Sequence, residues 1–373
     1  MLVVLLCLTT LFVAYSNGAN DNFKGVATLY GSNTLDFKTA LWLGTGATLL
    51  GCISSAFLAE ALVQAFSGRG LVPVEVAESP RFLVSVAAGA ASTVMLATVL
   101  GFPISTTHAL TGALVGAGFA TAGSDLNLAF LGGTFFLPLL LSPLISIMLT
   151  MPLYKIAHMA TARFGIGKET FVCVGPRQFV RATELALDPV TGTYMAASIT
   201  AGTTSTTYVE KYNGRVLGVT AQSLVDGVHY LSGAAVSFAR GLNDTPKIVG
   251  LLLVVKALDL RVSALAVAIA MAVGGLVNAR KVAETMSKKI SAMNDGQALT
   301  ANLVTAFMVI FASRLGMPVS TTHVSVGAIT GVGIVNGTAD KSMIGSILLS
   351  WVLTLPIGAA IAAAVCWVLG VVG

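Results

Sequence analysis

Two short polar patterns interrupt an otherwise apolar chain, and each occurs twice. The first, Gly18-Ala19-Asn20-Asp21-Asn22-Phe23-Lys24, returns as Gly241-Leu242-Asn243-Asp244-Thr245-Pro246-Lys247, with Gly, Asn, Asp and Lys shared. The second, Gly101-Phe102-Pro103-Ile104-Ser105-Thr106-Thr107-His108, returns as Gly316-Met317-Pro318-Val319-Ser320-Thr321-Thr322-His323, and over the eighteen residues from each glycine ten positions match without a gap. Both halves keep the same order, with 82 residues from Asp21 to Pro103 and 74 from Asp244 to Pro318, so one ancestral unit is used twice.

The Gly-x-Pro-x-Ser-Thr-Thr-His element reads as a helix start. Proline suits a first turn, Ser and Thr cap it, and the following Gly112, Ala113 and Gly116 let another helix pack close. Inside a membrane such a start leaves about four N–H groups unbonded and carries about half a positive charge, a ready site for an oxyanion. Two starts arriving from opposite sides would face one another. Ser105, Thr106, Thr107, Ser320, Thr321 and Thr322 are therefore candidate donors around a tetrahedral anion, with Asn20 and Asn243 beside them. The structural alternative is that these hydroxyls only bond backbone carbonyls a turn back; duplication of the whole motif weighs against it.

The Asn-Asp element asks for different chemistry. An ionised Asp in a bilayer costs at least ~2.5–3.5 kcal/mol at the helix centre on insertion scales, so Asp21 and Asp244 must hold something. A carboxylate repels an anion, and its natural partner is a cation: sodium held by Asp21, Asp244, Asn20 and Asn243, or a proton. The alternative is a structural salt bridge to Lys24, Lys247 or Arg240. At an inside-negative potential each charge moved is worth roughly 2.3 kcal/mol per 100 mV, so a divalent anion needs two cations to cancel its penalty and a third to drive it. His108 and His323 close the second motif and either orient a hydroxyl, carry a coupling proton, or cap a neighbour.

The elements that must position these residues are membrane helices. The 373-residue chain is 55% hydrophobic and only 10% charged, far below the roughly 25% charged residues of soluble domains. Uncharged runs from Phe82 to Leu100, Asn127 to Tyr154 and Ser342 to Gly373 each meet the roughly 20 residues needed to cross about 30 Å of hydrocarbon. Met1 to Ser16 lacks a basic n-region and leads straight into polar sequence, so it reads as a spanning helix rather than a signal peptide. Cys7, Cys52, Cys173 and Cys366 are far apart and form neither a disulfide framework nor a zinc site. No cofactor and no nucleic-acid partner are expected.

Three segments follow: a first transmembrane repeat over 1–152, a central loop over 153–216 opened by an interfacial helix at 153–164, and a second repeat over 217–373. One third of the basic residues lie between 155 and 216, and with the cluster Arg280, Lys281, Lys288 and Lys289 they place both stretches in the cytoplasm. Between and beyond these loops the second repeat offers a crossing over 217–256 interrupted at Arg240 to Lys247, a return over 262–279, and helices at 298–313, 317–336 and 343–371. Five crossings is an odd number, so the two repeats must lie upside down relative to each other. The fold expected is an all-α polytopic membrane protein of two inverted-topology repeats whose broken or half helices meet near the midplane, with both termini outside.

The paired Gly-x-Asn-Asp and Gly-x-Pro-x-Ser-Thr-Thr-His motifs resemble those of the inorganic phosphate transporter (PiT) family of cation-coupled permeases, over nearly the whole chain apart from the 155–216 loop. The resemblance implies symport of inorganic phosphate with sodium or protons across the cell membrane, with Asn20, Asp21, Asn243, Asp244, Ser105 to Thr107 and Ser320 to Thr322 as the functional positions. It leaves open a sulfate permease of the same fold, and a homodimer. The family pattern runs Gly-Ala-Asn-Asp-Val-Ala-Asn, whereas here Lys24 and Lys247 stand where its final Asn belongs. Each ammonium either attracts the anion, neutralises the adjacent Asp, or replaces a coupling cation. Two further readings compete: a passive anion channel, against which the intramembrane aspartates argue, and a serine hydrolase built on Ser105, His108 and Asp21, for which a duplicated nucleophile has no use.

Overall fold

The computed structural model describes residues 1–163, 167–175, 178–181, 185–187, 194–196, 199–200, 207–213, 215–216, 218–255, 257–290 and 293–372. Among them are ten helices of sixteen residues or more, five in each half. The first half contains α1 (Leu2–Asp21), α2 (Phe37–Leu58), α3 (Pro80–Leu100), α4 (Thr106–Ala122) and α5 (Leu137–Arg163). The second contains α6 (Ala221–Val249), α7 (Leu260–Asn278), α8 (Asp295–Arg314), α9 (Thr321–Asn336) and α10 (Lys341–Val372). Seven stretches are long and apolar enough to cross a membrane: Leu2–Gly31, Phe37–Leu58, Pro80–Leu100, Leu128–Ala160, Leu260–Asn278, Asp295–Arg314 and Lys341–Val371. The surface agrees, since large apolar side chains such as Trp42, Leu50, Phe307 and Trp367 lie exposed on these helices, an arrangement that suits lipid rather than water.

Capping explains where the helices begin. Asp36 accepts from the backbone N–H groups of Lys38 and Thr39 at the start of α2, and Asp259 accepts from Arg261 and Val262 at the start of α7. Each follows its motif aspartate by fifteen residues (36 − 21 and 259 − 244), a further sign of duplication. Ser105 and Ser320 cap α4 and α9 by accepting from the N–H groups of His108 and His323 at 3.1 and 3.2 Å. Both Gly-x-Pro-x-Ser-Thr-Thr-His elements are thus helix starts, but Pro103 and Pro318 precede the caps instead of occupying the first turn.

The helices pack in exchanged couples. α1 lies on α3 and α7 while α6 lies on α8 and α2; α10 lies on α4 and α3 while α5 lies on α9 and α8. Close approach depends on glycine: a Cβ on Gly18 of α1 would sit 1.9 Å from the Met271 carbonyl oxygen of α7, and one on Gly274 of α7 1.9 Å from that of Tyr15. Gly112 and Gly116 of α4 likewise meet the backbone of Leu355 and Ala359 on α10, as their pattern predicts.

Two expectations are corrected. The crossing over 217–256 is not interrupted at Arg240 to Lys247: α6 runs through these residues with Pro246 inside it, and changes to a 3-10 turn only at Gly250–Leu252. The side chains of Asn243, Thr245 and Lys247 find partners elsewhere in the fold, so the backbone has no need to open. The first copy does end its helix, since α1 stops at Asp21 and a 3-10 turn follows at Lys24–Val26. The residues assigned to a separate helix at 153–164 continue α5 as far as Arg163. Between α5 and α6 the chain forms short antiparallel strands: β1 (Gly167–Gly175) pairs with β2 (Gln178–Arg181) and β6 (Thr207–Asn213), β4 (Tyr194–Ala196) with β3 (Leu185–Leu187) and β5 (Ile199–Thr200), and β7 (Arg215–Val216) with β8 (Val219–Thr220).

Candidate anion and cation site

The end of α1, the C-terminal third of α6 and the starts of α4 and α9 converge on one buried polar cluster. Asn17, Asn20, Asp21, Lys24, Thr106, Thr107, Arg240, Asn243, Asp244, Lys247, Thr321 and Thr322 are each no more than 3% exposed. Sequence places the two pairs of motifs in separate halves; folding interleaves them.

Each lysine crosses from one half to the other. The Lys24 ammonium pairs with the Asp21 carboxylate and donates to the Ile104 carbonyl at 2.6 Å and to the Thr322 hydroxyl at 2.7 Å. Lys247 mirrors it, donating to the Val319 carbonyl at 2.8 Å, to the Thr107 hydroxyl at 2.7 Å and to Asp244 at 3.3 Å. The hydroxyls pass the link on: Thr322 donates to the Ile104 carbonyl at 3.0 Å and Thr107 to that of Val319 at 3.3 Å.

The asparagines fix the loops before each helix start. Asn20 donates to the Thr98 hydroxyl and the Phe102 carbonyl and accepts from the Ile104 N–H, at 2.9, 3.0 and 3.2 Å. Asn243 donates to the Val319 carbonyl at 3.2 Å, to Thr321 at 3.3 Å and to Asp244 at 3.1 Å, and accepts from Ser313 at 3.2 Å. Thr106 donates to Asp21 at 3.1 Å. His108 and His323 stand just behind the site with their rings edge to face and centroids 4.3 Å apart. Their Nδ1 atoms bond the carbonyls of Trp351 on α10 and Leu139 on α5, at 3.2 and 3.1 Å. Of the alternatives for the histidines, the structure thus brings them to backbone of the facing helices and to no hydroxyl.

Two residues of the cluster had no assigned role in the motifs. Asn17 donates to Asp21 at 3.0 Å, to Asp244 at 3.2 Å and to Thr106 at 3.0 Å, so one amide nitrogen joins both carboxylates. Arg240 is its counterpart, since each stands four residues before its motif aspartate (21 − 17 and 244 − 240). The available signal was that spacing, because residues four apart share a helix face.

Chemically the cluster offers hydroxyl, ammonium and guanidinium donors to an anion, and carboxylate, amide and carbonyl oxygens to a cation. Set in a bundle of apolar helices, it defines a membrane transporter. The profile of the Phosphate transporter family matches residues 17–362, and the chain belongs to that family. A protein of Thermococcus kodakarensis assigned as a phosphate permease is 28% identical, covering 97% of this chain and 96% of its own. The chloroplast inorganic phosphate transporter 2-1 of Arabidopsis thaliana is 24% identical, covering 96% of this chain and 70% of its own. A solved structure titled as the sodium-dependent phosphate transporter covers both chains fully with a TM-score of 0.79 at 22% identity, which shows the shared fold.

Proposed function

We propose that the chain is a secondary active symporter that imports inorganic phosphate together with a cation, sodium or proton. The observation that carries this reading is the convergence of both Asn-Asp-Lys motifs and both Ser-Thr-Thr helix starts on a single buried cluster, bonded across the halves through Lys24 to Thr322 and Lys247 to Thr107. A site closed on all sides and shared by two duplicated halves suits a carrier that opens alternately, and suits a pore poorly. The inverted arrangement of the halves is supported by five long helices in each, an odd number. The central segment, 153–216, is assigned to the cytoplasm with both termini outside, and the bond from Gln222 Nε2 to Asp295 at 2.6 Å supports a common side for its end and the 279–294 stretch.

The site residues divide by charge. Ser105 to Thr107 and Ser320 to Thr322, with Asn20, Asn243, Lys24 and Lys247, serve the anion; Asp21 and Asp244, with the amide oxygens of Asn20 and Asn243, serve the cation.

Uptake of radiolabelled phosphate into proteoliposomes, with sodium and pH gradients imposed separately and sulfate as competitor, tests the reading. Saturable uptake that collapses when one cation gradient is removed is the expected result. Uptake indifferent to both gradients would mean a passive pore, and full competition by sulfate would reassign the anion.

A further inference from the structure

We infer that Arg240 is a direct ligand of the transported oxyanion, its guanidinium fork supplying the charge that the protein itself leaves uncompensated. The inference rests on the anion-transport reading above and names a residue outside both motif pairs.

Arg240 is fully buried, and Nε, Nη1 and Nη2 all lack a hydrogen-bond partner. An isolated buried charge is among the most expensive features a protein can hold, several kcal/mol even after relaxation. Carboxylates are close at hand but committed. Asp21 takes Lys24 on one oxygen and Asn17 with Thr106 on the other; Asp244 takes Lys247 and Asn243 on one and Asn17 on the other. The guanidinium is nevertheless within electrostatic reach of Asp21 and Lys24, and on α6 it stands one turn before Asp244 on the same face. Its counterpart Asn17 already reaches both carboxylates, so the longer Arg240 side chain belongs to the same cluster from the opposite half.

Charge decides the chemical class of the missing partner. In their usual ionised forms Lys24, Lys247 and Arg240 give three positive charges against two from Asp21 and Asp244, leaving the cluster at +1 (3 − 2). Water would satisfy N–H groups but not the charge, and a cation cannot pair with a guanidinium. A small oxyanion satisfies both, because a planar guanidinium matches two oxygens of phosphate or sulfate side by side.

The test uses the full-length protein in nanodiscs and equilibrium binding of radiolabelled phosphate to wild type, Arg240→Lys and Arg240→Met. Arg240→Met is expected to weaken binding about 100-fold, the cost of truncating one side of a buried charged contact. Arg240→Lys keeps the charge but loses the fork, and is expected to weaken it about 10-fold. Thermal unfolding separates a ligand from a structural strut. Without phosphate, Arg240→Met should unfold at or above the wild-type temperature, since it removes an uncompensated buried charge, and phosphate should no longer raise its midpoint.

Wild-type affinity in Arg240→Met overturns the inference, and so does a lowered phosphate-free midpoint or a failure to fold, either of which would make Arg240 structural. Unchanged affinity in Arg240→Lys excludes the fork. If wild type binds sulfate and not phosphate, the substrate reading fails while the same variants, measured with sulfate, still decide the role of Arg240. If wild type binds neither anion, both readings fall.

Discussion

Lys24, from the first half, donates to the hydroxyl of Thr322, from the second, at 2.7 Å, and the return contact from Lys247 to Thr107 has the same length. These bonds tie each Asn-Asp motif to the Ser-Thr-Thr element of the opposite half. A motion that separates the two halves at this site breaks both, so the lysines sit where a carrier would register its two states.

That position makes Lys24 the natural residue to exchange for the asparagine of the family pattern. Lys24→Asn removes one positive charge from the cluster and puts an amide oxygen beside Asp21, so a cation is needed where the ammonium was. Phosphate uptake by this variant is expected to depend more steeply on external sodium than uptake by wild type, with wild-type dependence regained in the revertant. Identical sodium titrations for the two proteins would show that the ammonium does not stand in for a coupling ion.

The aspartates are the second target. Asp21→Asn or Asp244→Asn keeps the side-chain shape but leaves Lys24 or Lys247 with no counter-charge, and breaking a buried pair from one side costs about 3–5 kcal/mol. Both variants are expected to reach the membrane as folded protein by gel filtration, less stable by part of that amount. Their gradient-driven initial uptake rates are expected to fall at least about 100-fold, because a 1.4 kcal/mol loss is already tenfold. Rates equal to wild type in both would remove the cation role from these carboxylates.

Much of this site can be read before folding, because duplication marks it. The repeated Asn-Asp and Ser-Thr-Thr-His patterns lead to Asp21, Asp244 and both helix starts, and hydropathy leads to the spans. Arg240 escaped as a site residue because its counterpart is Asn17: the two differ in type, and repeat matching rewards identity. The unbroken course of α6 through Lys247 escaped for another reason. Charged residues and Pro246 signal a break locally, while the partners that keep the helix closed, such as Thr107, Val319 and Ser313, lie 70 or more residues away. That the lysines reach across to the opposite half is likewise a tertiary fact, invisible to spacing along either half alone.

The packing of α1 on α7 gives a prediction about stability. A Cβ at Gly18 would collide with the Met271 carbonyl oxygen, whereas one at Gly46 of α2 meets nothing within 4 Å. Gly18→Ala has to push α7 away from the end of α1, at about 1–3 kcal/mol for overpacking, and it shifts Asp21 with it. Gly46→Ala should be neutral or stabilising by about 0.5–1 kcal/mol, the ordinary preference of a helix interior. Thermal unfolding in detergent compares them; equal midpoints for the two variants would contradict the close contact.

The histidines provide a test of proton coupling. His108 and His323 hold the starts of α4 and α9 against carbonyls of α10 and α5, and His323 also stacks on Trp351 with centroids 3.7 Å apart. With the two imidazoles edge to face at 4.3 Å, a charge on both would be strongly repulsive in a buried setting, which favours anchoring over proton carriage. His108→Gln preserves a donor for the Trp351 carbonyl, so it should retain uptake within about threefold, less than the ~1 kcal/mol of one hydrogen bond, with an unaltered pH profile. His108→Phe deletes the side-chain bond to α10 and should lower stability by about 0.5–1.5 kcal/mol. A displaced pH profile in His108→Gln at wild-type stability would instead make His108 part of the proton path.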